Sequence, residues 1–251
     1  MPIDIGGYKY NSQMVDSQSY KVTPSSGLVV HLDAGKKESY PGSGTVWYDL
    51  TGNNNHGTLT NGPTFSNTNG GAIVFDGVDD YIVITNNSSL YMTSQMSILV
   101  WFSIPQNNLP YRQALVCKHY SEYEIGIYPD GGFHSYTRNG TGGAFPSYNE
   151  GIYSYNAQST WTANAMYQVV WTLNGQSESA YLNGSLFATN GTYTKGNSGT
   201  DSQTNNLIIG SRFGTDLIFK GNIYKVMVYN RMLTPTETSD IYNIQKQRFG
   251  L

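Results

Sequence analysis

Alternation of apolar and polar positions is the strongest signal in the chain. Over 96–104, Met96, Ile98, Val100, Phe102 and Ile104 fall on one side and Ser97, Leu99, Trp101 and Ser103 on the other. That period of two is the signature of a strand. The run 166–173 repeats it, with Tyr167, Val169, Trp171 and Leu173 on one face. Shorter apolar runs at 28–32, 114–118, 123–128, 133–137, 207–210 and 221–229 predict further strands. Asp130-Gly131-Gly132, Asn174-Gly175 and Asn183-Gly184 punctuate them as hairpin turns, because Gly accepts positive φ and Asn and Asp tolerate it. By the same reasoning the stretch 70–85 reads as a central hairpin, with strands at 72–75 and 81–85 about Asp76-Gly77. One helix is predicted, over 235–245. Thr234, Pro235 and Glu237 supply its capping hydroxyl, first-turn proline and capping-box acid. Its expected role is to cap a sandwich.

Two stretches escape periodicity. Residues 1–26 are polar and read as an arm outside the core, either a tail or an anchor that orders on a partner; 27–251 read as the domain. Residues 138–160, rich in Gly, Asn, Ser and Tyr, read as an insertion. Trp47 and Leu50 are expected to plug the sandwich edge, and His56 to make local hydrogen bonds in a turn.

Composition narrows the function. Only 12% of residues are charged, whereas Gly (28) and Tyr (21) abound, as expected for short strands joined by polar turns. The net charge is −3 and no Lys/Arg cluster exceeds two adjacent residues, so nucleic acid is not an expected partner. No apolar run approaches the ~20 residues of a membrane-spanning helix. The first twenty residues lack an apolar signal-peptide core, so synthesis in the cytoplasm is expected. Cys117 is the single cysteine, which excludes a disulfide framework or a Cys-rich zinc site within one chain.

Three motifs carry a resemblance. They are 47–59, Trp-Tyr-Asp-Leu-Thr-Gly-Asn-Asn-Asn-His-Gly-Thr-Leu; 75–82, Phe-Asp-Gly-Val-Asp-Asp-Tyr-Ile; and 221–237, running from Gly-Asn-Ile-Tyr to Thr-Pro-Thr-Glu. In this order they resemble the concanavalin A-like jelly rolls of the laminin-G-like and pentraxin-like group. The resemblance implies an all-β sandwich of two antiparallel sheets with one short C-terminal helix. The segments 1–7 and 247–251 look like those of tailed-phage virion proteins carrying such a domain. The function this implies is a non-enzymatic virion surface protein, on capsid, neck or tail. It would be shown in many copies or as a homo-oligomer, held to other virion proteins through the arm, and able to meet host-surface glycans. The alternatives are a stand-alone lectin or the binding module of a cell-surface protein, and, less favoured, a glycoside hydrolase.

Relatives often place an acid after the Ile of the third motif, near a structural calcium; here that position is Tyr224. No metal site or cofactor is therefore expected, although Asp76, Asp79 and Asp80 retain hard oxygen ligands that calcium uses. Glucanases of this fold carry three acids on one strand. Glu122 and Glu124 match two of them, but Gly126 and Tyr128 stand where the third belongs, so no catalytic residue is assigned. His31, His56, His119 and His134 are scattered. Sugars stack on rings and bond to planar polar groups, which makes Tyr136, Arg138, Tyr153, Tyr155 and Trp161, in or beside the insertion, the candidate glycan-binding residues; Tyr148 lies among them.

Overall fold

A computed structural model describes residues 23–92, 94–106, 109–119, 122–137, 149–154, 161–175, 177–190 and 205–251. Most of the expected arm, together with Arg138, Tyr148 and Tyr155, lies outside the described residues. In chain order the strands are β1 (Leu28–Asp33), β2 (Val46–Trp47), β3 (Gly57–Thr60), β4 (Thr64–Ser66), β5 (Ala72–Asp76), β6 (Tyr81–Ile84), β7 (Gln95–Ser103) and β8 (Gln113–Lys118). They continue as β9 (Tyr123–Ile127), β10 (Phe133–Thr137), β11 (Asn149–Ser154), β12 (Tyr167–Asn174), β13 (Ser177–Leu182), β14 (Ser185–Asn190), β15 (Leu207–Ile209) and β16 (Lys220–Tyr229), and α1 (Pro235–Gln245) follows.

The strands form two eight-stranded antiparallel sheets, the expected jelly-roll sandwich. The first runs β14-β13-β12-β7-β16-β5-β4, with β1 also on β16; the second runs β11-β10-β9-β8-β15-β6-β3-β2. β16 has β7 along one edge, and β5 then β1 along the other.

The alternation read from the sequence sets the faces. Met96, Ile98, Val100, Phe102 and Ile104 join Val169, Trp171, Ile125, Ile127, Ile82 and Ile84 in the core between the sheets. Leu99 and Trp101 point the other way, into a second apolar layer with Val170, Met227, Tyr229 and Ile241. Helix α1 covers that layer: the Trp101 indole stacks on Tyr242 at 5.7 Å, and its Nε1 donates to Gln245 Oε1 at 2.6 Å. The capping box forms as predicted, Glu237 N donating to Thr234 Oγ1 at 3.1 Å and Thr234 N to Glu237 Oε2 at 2.9 Å. Trp47 is fully buried and Leu50 half-buried at the sandwich edge, and His56 Nδ1 accepts locally from Asp49 N at 3.0 Å.

The expected hairpin at 70–85 is corrected. β5 pairs with β16 and β4 in the first sheet, whereas β6 pairs with β3 and β15 in the second. Residues 77–80 therefore arch from sheet to sheet. Both strands turn apolar side chains into the same core, Ile73 and Phe75 from one side, Ile82 and Ile84 from the other. The turn chemistry itself is as read: Val78 N donates to Asp76 Oδ1 at 2.7 Å and Asp76 N to Asp80 Oδ2 at 2.9 Å. Those bonds close a tight bend whether or not its strands pair.

Residues 24–27 are tied to the end of β16. The Tyr229 hydroxyl donates to Pro24 O at 3.0 Å, Arg231 Nε to Ser26 O at 2.8 Å, and Asn230 N to Gly27 O at 2.8 Å.

Candidate functional site

The outer face of the second sheet, away from the core, carries a cluster of charged and aromatic groups. Hairpin registers assemble it. Glu124 lies opposite Tyr136 and Cys117, and Gly126 lies opposite His134. The next strand extends both rows at backbone level, Glu150 opposite Tyr136 and Tyr153 opposite His134.

Glu124 is fully buried and its negative charge is fully engaged. Arg212 grips it with two prongs, Nε to Oε2 at 2.6 Å and Nη2 to Oε1 at 2.5 Å, while His134 Nε2 donates to Oε1 at 3.0 Å. A two-pronged, charge-assisted pair of this kind is about twice as strong as neutral hydrogen bonds. Burial raises the carboxyl pKa, but the hydrogen bonds from His134 and Arg212, with the Arg212 charge, outweigh it and hold Glu124 at about 2. His134 is 1% exposed, and burial lowers its pKa against the pull of Glu124. A neutral imidazole that donates through Nε2 leaves Nδ1 an acceptor, and that atom is buried without a partner among the described residues.

The imidazole explains Gly126. A Cβ there would stand 2.3 Å from His134 Cε1 and 2.2 Å from the Gln113 carbonyl oxygen. The strand position where glucanases carry a further acid is therefore filled by a ring from the neighbouring strand. Glu122 is likewise engaged, accepting from Lys118 Nζ at 2.5 Å and from Asn205 Nδ2 at 2.8 Å.

Arg212 comes from the loop after β15. Its backbone N donates to Asp216 O at 2.7 Å, and Phe213 and Leu217 flank the turn at φ of 62° and 49°. Left-handed backbone at a non-glycine residue costs roughly 1–2 kcal/mol, and anchoring by Glu124 offsets it. Arg112, just before β8, donates from Nη1 to the hydroxyls of Tyr136 at 2.6 Å and Tyr128 at 3.4 Å. Its guanidinium and that of Arg212 lie 5.5 Å and 5.4 Å from the centre of the Tyr136 ring, both within cation–π range.

The sequence-derived glycan residues divide. Tyr136 belongs to the cluster, 7% exposed between the two arginines. Tyr153 lies beside His134 by register. Trp161 lies elsewhere: at 1% exposure it packs against Phe102 and Tyr167 in the core, with Nε1 donating to Tyr128 O at 2.8 Å, so its faces are taken up by protein. The polar sequence around position 161 concealed this, because the core it joins comes from other strands. Arg112, Arg212 and the pairing of His134 with Glu124 were not anticipated. Counting back from the Asp130-Gly131-Gly132 turn would have aligned Glu124 with Tyr136 and Gly126 with His134. Arg112 and Arg212 come from loops without a periodic signal.

At the arch, ligand oxygens of Asp76, Asp79 and Asp80 lie within 4.8 Å of one another. Asp76 and Asp80 already cap turn backbone. Tyr224 is buried on the outer face of the first sheet, its hydroxyl 3.1 Å from Ser103 Oγ, so the position that holds an acid in relatives is committed to packing here.

A sequence profile described as the concanavalin A-like lectin/glucanases superfamily matches residues 76–239. No curated protein matches the chain. Solved structures match over most of it. The binding domain of a paraclostridial mosquitocidal protein is 17% identical, with a TM-score of 0.66, covering 87% of this chain and 52% of its own. Domain 4 of an extracellular arabinanase from Geobacillus stearothermophilus, solved with arabinotriose, is 17% identical, with a TM-score of 0.62, covering 86% and 98%. The receptor binding domain of botulinum neurotoxin D is 15% identical, with a TM-score of 0.67, covering 88% and 53%. The chain thus spans about half the length of the two toxin chains.

Proposed function

Because the chain belongs to the concanavalin A-like lectin/glucanases superfamily, we propose that it is a non-catalytic, glycan-binding jelly roll whose binding surface is the outer face of the second sheet around Arg112, Tyr136, His134 and Glu124. One observation carries this reading: the acids that a hydrolase would use are neutralised. Glu124, held at about 2 between Arg212 and His134, carries no proton to give at neutral pH, and Glu122 is paired with Lys118. A retaining glycosidase needs one carboxyl that is protonated and a second that is free to attack, ~5 Å apart. What the face offers instead is a half-buried donor, Arg112, fixed by the hydroxyls of Tyr136 and Tyr128 on a rigid sheet, the kind of placed polar group that recognition uses.

Multivalent display suits such a surface, since weak single sites gain strength when linked. The setting we infer is the surface of a phage particle, with the N-terminal arm as the attachment; the support is the likeness of segments 1–7 and 247–251 to tailed-phage virion proteins. Copurification with particles at fixed stoichiometry separates this setting from a free lectin or a cell-surface module.

A glycan array probed with multimerised protein tests the binding role. Binding that is lost in Tyr136→Ala, with the fold intact, supports it. A blank array at high valency overturns it, as does reducing-sugar release that disappears in Glu124→Gln.

A further inference from the structure

We propose that the ligand is acidic, and that Arg112 reads a carboxylate on it through the edge of its guanidinium formed by Nε and Nη2. This rests on the glycan-binding role of the same face. Arginine presents five N–H donors in a planar fork. Among the described residues Arg112 uses only Nη1, on the hydroxyls of Tyr136 and Tyr128; Nε and Nη2 have no acceptor there, and no carboxylate of the described residues pairs with the side chain. Arg212 is the contrast within the same cluster, its Nε and Nη2 both on Glu124. The protein thus carries two similar forks side by side, about the one Tyr136 ring, and supplies an internal carboxylate to one of them.

Arg112 is also held in place. The two hydroxyl acceptors fix one end of the guanidinium, and the Tyr136 ring 5.5 Å away limits its swing. The side chain is half-buried, so its open edge meets solvent with less hydration than a fully exposed arginine would have. A planar carboxylate matches the Nε–Nη2 edge with two parallel hydrogen bonds, an arrangement stronger and more selective than a point charge provides. The ligand class that presents such a carboxylate on a sugar is a uronic or sialic acid residue of a glycan.

The test is calorimetric binding of alginate and polygalacturonate hexasaccharides and sialyllactose, each against its carboxyl-reduced neutral form, with a sulfated carrageenan hexasaccharide as a further arm. At least one acidic member is expected to bind tenfold or more tightly than its reduced form, with affinity falling as salt rises. Arg112→Gln abolishes that preference, and Arg112→Lys, which keeps the charge without the fork, restores only part of it. Circular dichroism confirms that both variants fold. Equal affinity for acidic and reduced forms overturns this inference while leaving glycan binding standing. Preference for the sulfated sugar alone overturns the carboxylate assignment, and preference that survives Arg112→Gln overturns the assignment to Arg112. No binding to any member, together with a blank array, overturns the glycan-binding reading itself.

Discussion

Replacing Arg212 by Met removes both prongs from Glu124 while keeping an unbranched apolar stem. The carboxylate, fully buried, then keeps the bond from His134 and its contact with the Cys117 thiol but no cationic partner among those described. Removing one partner of a buried ion pair costs about 3–5 kcal/mol, because the other charge is left without compensation. Since His134 still donates, the lower end applies, about 3 kcal/mol, or roughly 6–12 °C of melting temperature for a chain of this size. The pH dependence sharpens the prediction. In the native protein the Glu124 pKa is depressed from 4.5 to about 2. Its stabilisation is therefore present above pH 4.5 and is lost progressively as pH falls toward 2; one pKa unit corresponds to about 1.4 kcal/mol. At pH 3 the native protein has given up about 2 kcal/mol of that contribution. In Arg212→Met burial dominates and Glu124 protonates more readily, so the stability gap between the two proteins narrows on acidification. Urea titrations at pH 7, 5, 4 and 3 measure it. The double variant Glu124→Gln, Arg212→Met recovers more than half of the loss at pH 7, because no buried charge remains. A cost below about 1 kcal/mol at pH 7, in the range of exposed pairs, with the same pH slope in both proteins, would refute the reasoning.

Three further outcomes are expected. Gly126→Ala drives a methyl into the Gln113 carbonyl oxygen and the His134 ring, so it destabilises by about 1–3 kcal/mol or more and shifts the His134 ring resonances in NMR; an unchanged melt contradicts the packing. Thr234→Ala removes the capping hydroxyl from Glu237 N and costs about 1 kcal/mol in urea unfolding, whereas Thr234→Ser is near neutral. Deleting residues 1–22 leaves the melting temperature within a few degrees, while extending the deletion through Gly27 removes the bonds of Pro24, Ser26 and Gly27 to the end of β16 and lowers it; equal melts for the two deletions contradict a stabilising role for those bonds.

Much of the fold was legible because strands advertise their faces. The alternation in 96–104 places Ile98 and Val100 in one apolar layer and Leu99 and Trp101 in the other, and the helix announces itself through Thr234, Pro235 and Glu237. The arch at 77–80 was misread for a physical reason. Asp-Gly chemistry reports a local change of direction, and a strand pair in one sheet and a crossing between sheets need the same change. What separates them is the partner of each strand, β16 for β5 and β15 for β6, both distant in sequence. The candidate site was half visible. Tyr136 and Tyr153 were chosen as loop aromatics and stand in or beside the cluster by register. The groups that set its electrostatics, Arg112 and Arg212, reach it from loops where no period constrains a reader. Trp161 misled because an indole in a polar stretch reads as exposed, while its packing partners Phe102 and Tyr167 lie on strands read separately.

The placement of β16 has a consequence for how the protein comes into being. It is the last strand of the chain, yet it holds β7, β5 and β1 together, and Leu28 finds its partner only in Tyr229. At ~5–20 residues per second of synthesis, roughly 10–40 s separate the making of those two residues. Contacts so distant are slow to close, because loop entropy is lost before they stabilise anything. The hairpins β8–β9–β10 and β12–β13–β14 pair with immediate neighbours and need not wait. Birth of the molecule is therefore staggered: the strands that carry Glu124, Gly126 and His134 find one another while the opposite sheet still lacks its keystone, and a ribosome that stalls before Lys220 releases a chain whose β1, β5 and β7 have no strand to join them.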